Sequence, residues 1–201
     1  VSCFGYIAFA RMVSGMGTTI FAAHSIAITA EQIVYIPGYG LRVATSTLVG
    51  NALGEKDIRK LKATERVSIL ITLLIMVVNG IGLYLFAYPF MRLFTNSVNA
   101  ARIGSEMLRL VSFSEPFFGL MIVLEGISYG MGRTKHVFAC EAVSMWGIRI
   151  FGTFLCVNVF GLGLKAVWLC MIADNICKAI LLYIFRPKHV EENADDRGEL
   201  R

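Results

Sequence analysis

The chain has 201 residues, 56% of them hydrophobic and 16% charged, with a formal net charge of +5. Half of its charges lie in two short stretches, residues 55–66 and 187–201, and the remaining positions carry about one charge in ten. A soluble domain spreads roughly one-quarter charged residues over its surface, and a disordered chain lacks this hydrophobicity, so both classes are excluded. A polytopic membrane protein remains.

In chain order, residues 1–16 carry only Arg11 and read as the end of a truncated helix. The chain opens Val-Ser-Cys inside an apolar stretch, with no charged start followed by a cleavage site. It is therefore no signal peptide, and the numbering is expected to begin inside a longer protein. Residues 22–49 form the first full span, with His24, Glu31 and Arg42 inside it. Residues 51–66 are a charged loop whose polar periodicity suits a segment lying along the membrane surface. Residues 67–91 are 25 positions without a charge, the clearest span. Residues 102–130 carry Glu106, Arg109, Glu115 and Glu125, residues 137–160 carry Glu141 and Arg149, and residues 164–185 carry Lys165, Asp174 and Lys178. Tight turns join these last spans, and Thr95-Asn96-Ser97 is a turn signal before them. The expected fold class is an all-α polytopic transmembrane helix bundle over residues 1–186, followed by a disordered tail over 187–201.

Basic residues orient it. Lys56, Arg59, Lys60, Lys62, Arg66, Arg133, Lys135, Arg186 and Lys188 fall on one side; Arg92, Arg102 and Lys165 fall on the other. Positive loops face the cytoplasm, which places the charged loop and the tail there. The same rule makes the net positive charge a topology signal, so no nucleic-acid partner is expected; the lipid bilayer is. The five cysteines lie in apolar stretches with no CxxC pair and read as packing residues. No metal-ligand cluster and no nucleophile–base arrangement is visible, so neither a metal site nor an enzyme is expected.

Ionisable groups at membrane depth are costly and often mark pathways. Glu31 sits mid-span with Gln32 and Tyr35 as hydrogen-bonding neighbours. Arg42 returns to nearly the same helix face but about 16 Å away, so Glu31 needs another partner. It is either a site for a proton, a cation or a cationic substrate, or a structural salt bridge to a neighbouring helix, for example to Arg149. Glu115-Pro116 places a carboxylate at a helix break, a recurrent arrangement in transporter cavities, although a bend for packing explains it too. Glu125, roughly 80° around the helix from Glu115, is a second lining candidate. Asp174 and Lys178 are spaced for an i,i+4 structural pair. Arg149 calls for an acidic partner on another helix. Gly50 with Gly54, and Gly126 with Gly130, have the GxxxG spacing of close helix contacts.

Several strings together resemble the MATE family, the multidrug and toxic compound extrusion transporters. Ala22-Ala23, Pro37-Gly38 and Val49-Gly50-Asn51-Ala52-Leu53-Gly54 stand in the family's order. GISYGMGRTK at 126–135, WGIRI around Arg149 and GLGLKAVWL around Trp168 resemble its later spans. The resemblance implies one six-helix lobe, the second, of a twelve-helix transporter, its first helix truncated and the N-terminal lobe missing. It implies a secondary active transporter that exports small organic, often cationic, compounds in exchange for Na+ or H+, with no bound cofactor, in a bacterial-type plasma membrane. Some members carry an acid where this chain has Phe118, with Glu115 one turn earlier as a substitute. Glu31 resembles a glutamate on the family's eighth helix. Pro37, Gly38 and Pro116 would permit the bending that alternating access needs. The alternatives are a lipid-linked oligosaccharide flippase of the same superfamily, expected to have a more basic cavity, and a non-transporting membrane fragment.

Overall fold

The computed structural model describes residues 2–185; the tail and the basic residues Arg186 and Lys188 lie outside them. Every regular element is helical among the described residues. The order is α1 (Ser2–Ser14), α2 (Thr18–Gly54), α3 (Ile58–Phe94), α4 (Val98–Ser112), α5 (Glu115–Gly130), α6 (Thr134–Ser144), a π-helical segment (Met145–Ile150), α7 (Phe151–Phe154), a second π segment (Leu155–Val159) and α8 (Leu164–Ile184). The stretch from α6 to the second π segment is one rod, Thr134–Val159. This rod, α2, α3 and α8 are each long and apolar enough to cross a membrane, and α4 with α5 makes a fifth span if the bent pair is counted as one.

The residue pattern of α3 explains why the bundle belongs in lipid. Its exposed face is the stripe Val67, Leu70, Leu74, Val78, Ile81 and Leu85. Its buried face carries Ser68, Thr72, Met76, Gly80, Leu83 and Ala87. Both repeat every three to four residues, so they are opposite sides of one helix. Bulky apolar groups outward, with small and polar residues such as Ser68, Thr72, Gly80 and Ala87 interleaved on the inner face, is the inverse of a water-soluble helix, and it suits helix contacts made inside hydrocarbon.

Helix lengths differ from the spans that charge alone suggests. At roughly 1.5 Å per residue a 37-residue helix is about 55 Å long, against a hydrocarbon core of about 30 Å. The charged region 51–66 is therefore not a separate surface-lying segment. The chain reverses over Glu55–Asp57, with Lys56 at φ +56°, and the Asp57 side chain caps α3 by accepting from the Lys60 amide at 2.9 Å. Charge marks where a helix enters water; it does not end the helix, because Lys, Arg and Glu are good helix formers.

The stretch 102–130 is not a single rod either. It breaks at Phe113-Ser114, where α4 and α5 meet at 61°. Ser114 donates from both its amide and its hydroxyl to the Val111 carbonyl, at 2.7 and 2.8 Å, which closes the end of α4. Pro116 stands in the first turn of α5, where a missing N–H costs nothing.

Helices α2 and α5 form the centre: α2 packs on α3, α4 and α5, and α5 also packs on α3 and α8. Gly126 and Gly130 make this possible. A Cβ at Gly126 would lie 2.7 Å from the Arg42 carbonyl oxygen, and one at Gly130 would lie 2.6 Å from that of Ser46.

The buried apolar side chains fall into two groups at different depths. One gathers Ala30, Leu83, Val111 and Met171; the other gathers Tyr35, Met76, Phe118 and Ala179. Along α2, α3, α4–α5 and α8 the boundary between them lies close to Glu31, Gly80, Glu115 and Asp174. A polar layer thus crosses the middle of the bundle.

Candidate functional site

The layer is built from four structural units. Glu31 comes from α2 and is buried. Tyr35, one turn later, donates its hydroxyl to Glu31 Oε1. The Tyr35 ring is stacked on Phe118 of α5, with centroids 3.7 Å apart, which fixes the direction of that hydroxyl. Phe118 thus serves as a platform for the tyrosine bonded to Glu31.

Glu115 is the first residue of α5 and is fully buried. Its stem lies against Gly80 of α3, and neither carboxylate oxygen has a hydrogen-bond partner. Glu31 and Glu115 act electrostatically on one another, and both act on Tyr35. Two neighbouring buried carboxyls, one with both oxygens unsatisfied, are chemically suited to take up a proton or a bare cation, because either removes negative charge from a medium of low dielectric.

Arg149 lies in the first π segment. Its Nε is 2.9 Å from Asp174 Oδ2 on α8, and Lys178 Nζ is 3.1 Å from that same oxygen. The other oxygen, Oδ1, accepts from the Ser144 hydroxyl at 2.5 Å. Arg149, Asp174 and Lys178 are all buried. The acidic partner of Arg149 is thus Asp174, although the Arg149 charge also acts on Glu31.

The other candidate residues are placed differently. Gln32 and Pro37 are exposed, Gly38 is buried beside Met76 and Ile122, and Pro116 is half-buried. Glu125 does not join Glu115. It pairs with Arg42 at 3.0 Å, and the Arg42 guanidinium lies 5.1 Å from the Tyr39 ring centre and 5.9 Å from that of Tyr129. Sequence reasoning missed the Arg42–Glu125 pair and Ser144, whose partners are 83 and 30 residues away in the chain. One signal for the first was available, since the helix-contact glycine Gly126 adjoins Glu125.

The fold and this layer define a polytopic helical membrane protein with ionisable groups buried at its centre. The chain belongs to the MatE family, whose model matches residues 1–155. Members of that family are transporters rather than enzymes. The chain is 30% identical over 183 residues to the probable multidrug resistance protein NorM of Thermotoga maritima, covering 90% of this chain and 39% of that protein. It is 26% identical over 141 residues to the multidrug resistance protein NorM of Aliivibrio fischeri, covering 70% and 31%. The chain thus spans about two-fifths of the length of the curated relatives it matches. Among solved structures, the eukaryotic MATE transporter AtDTX14 aligns with a TM-score of 0.84 at 21% identity, over 97% of this chain and 46% of that one. A multidrug resistance MATE transporter in its outward-facing conformation aligns with a TM-score of 0.85 at 19% identity, over 94% and 43%. At these identities the likeness concerns the fold.

Proposed function

We propose that the chain is the second lobe of a twelve-helix secondary transporter that exports organic cations in exchange for Na+ or H+. In this reading Glu31, oriented by Tyr35, and Glu115 form the lobe's cation-handling site. The observation that carries it is the burial of both carboxyls in the central layer, with the Glu115 oxygens unsatisfied. Such groups are retained at membrane depth where a cation or proton is exchanged. The names of the curated relatives support multidrug export as the activity. Pro37, Gly38 and Pro116 are the proposed bending points, and Gln32 is the exposed polar neighbour that substrate would meet. The missing N-terminal lobe completes the cavity, and the charged α2–α3 turn and the tail face the cytoplasm.

An excess of acid over base around Glu31 suits a cationic substrate better than the anionic phosphates of a lipid-linked sugar. The test is Glu31→Gln in the full-length protein, expected to cut efflux of a cationic dye at least tenfold with expression unchanged. Undiminished efflux would remove Glu31 from the site.

A further inference from the structure

Cys156 and Cys170 come from different helices and meet side by side. Cys156 stands in the second π segment, near the end of the rod, and Cys170 stands in α8. Their sulphur atoms are 3.8 Å apart, although 14 positions separate the residues in the chain. Both thiols are free, and both residues are partly exposed. A disulfide holds its sulphurs at about 2.0 Å, so a gap of roughly 1.8 Å remains, within reach of small rotations of the two side chains.

The surrounding backbone brings the pair together. Gly152, one turn before Cys156, faces α8: a Cβ there would lie 3.4 Å from the Cys170 sulphur. The rod presents bare backbone at this point, and the α8 thiol fits against it. Beyond Cys156 the chain reverses, and the Leu162 amide donates to the Cys156 carbonyl at 2.8 Å. Deeper in the bundle the same two helices are joined by Arg149 Nε with Asp174 Oδ2 at 2.9 Å, and by the Ser144 hydroxyl donating to Asp174 Oδ1 at 2.5 Å. Cys170 lies one turn from Asp174 along α8. The seam between the rod and α8 is therefore fixed in register at mid-depth, which keeps the two thiols opposite one another at its end.

Depth decides which chemistry can reach them. Cys156 and Cys170 are roughly 4.5 and 9 Å along their helices from Val159 and Leu164, the two ends that flank the turn. Val159, Phe160 and Leu162 are all exposed around that turn. In the proposed topology it lies on the outer side of the membrane, where thiols are oxidised, whereas the cytosol keeps them reduced.

We propose that Cys156 and Cys170 form a disulfide, a covalent staple between the rod and α8 at the outer end of the lobe. The oxidant is a disulfide-bearing exchange partner of the outer compartment. One cysteine thiolate attacks a sulphur of that partner and displaces one of its thiols. The second cysteine then attacks the mixed disulfide, the Cys156–Cys170 bond forms, and the partner leaves as its second thiol. The two cysteines lose two electrons and two protons, and the partner's disulfide takes up both. The compartment rests on the proposed topology; the pairing rests on the contact between the two sulphurs.

The test uses the full-length protein with Cys156 and Cys170 as its sole cysteines. Cells making it are quenched in acid to stop thiol exchange, and the unfolded protein is treated with a polymer-tagged maleimide that adds a resolvable mass to each free thiol. No conjugate is expected before reduction, and two are expected after it. Cys156→Ser and Cys170→Ser each leave a single thiol, expected to be labelled with or without reductant. In the purified protein, reducing the pair is expected to lower the thermal unfolding midpoint by about 5 °C, while both serine variants show no response to reductant. Two conjugates without reductant lead to a second arm, in which dithiodipyridine, a small aromatic disulfide, is added to the purified protein. If it then joins the two sulphurs, the pairing stands and the outer-side topology fails. If both thiols stay free, or each keeps a pyridylthio group, the inference is overturned. A dimer linked by these cysteines before reduction overturns it as well, because the sulphurs then pair between chains.

Discussion

The Arg42 side chain is 31% exposed and its guanidinium borders two tyrosine rings, whereas its partner Glu125 is 9% exposed. Removing either one breaks the same 3.0 Å contact but leaves different orphans. Without Glu125, Arg42 keeps partial hydration and its aromatic neighbours, since a long side chain can carry its charge to water. Without Arg42, a buried carboxylate loses its direct partner, at a cost of about 3–5 kcal/mol before relaxation. Arg42→Met is therefore expected to lower the thermal unfolding midpoint of the purified protein clearly more than Glu125→Gln does. Equal shifts would mean that the two ends are equally hydrated. Individual charges at membrane depth were legible in the sequence, because composition makes them stand out. Their pairings were legible only where both members share a helix, as Asp174 and Lys178 do.

The contact between α2 and α5 depends on two glycines, and this gives an element-scale prediction. Gly126→Ala puts a methyl group 2.7 Å from a backbone oxygen that cannot swing aside. Overpacking of this kind costs about 1–3 kcal/mol. Gly82 is the control: a Cβ there meets nothing within 4 Å, and it lies inside α3. Gly82→Ala should be neutral or stabilising by about 0.5–1 kcal/mol, since alanine restricts the helix less. Thermal unfolding in detergent reads both. The GxxxG spacing announced a close contact at Gly126 and Gly130 but not the helix that fills it. Helix ends were less legible. The break at Phe113-Ser114 rests on local serine hydrogen bonds and on the demand to turn by 61°, while Pro116 only marks that a helix begins nearby. The π segments around Arg149 have no counterpart in the hydrophobic pattern, because a one-residue widening of a turn hardly alters periodicity.

At the scale of the whole molecule, α2 and α3 form a hairpin longer than a membrane is thick, with its charged turn at Glu55–Asp57. In the proposed topology, which follows the positive-inside rule, that turn faces the cytoplasm. In a background lacking the five native cysteines, Lys60→Cys is expected to react with a membrane-impermeant maleimide in inverted vesicles but not in intact cells. Ile71→Cys, on the exposed apolar face of α3, is expected to stay unlabelled from both sides. Labelling of Lys60→Cys in intact cells would invert the proposed topology. The sequence by itself determined the class of protein, the all-helical bundle and the family, since these follow from where apolar runs, charges and short motifs fall along the chain. It also singled out the few charges that do not belong in lipid. Only the tertiary structure decided that Glu31, Glu115, Arg149, Asp174 and Lys178 share one layer, that Arg149 answers to Asp174, and that Glu125 belongs to Arg42. The physical reason is range. Hydrophobic periodicity and helix signals act over a few residues, whereas a buried charge is stabilised by whichever helix is packed beside it, and that neighbour is set by the packing of the whole bundle.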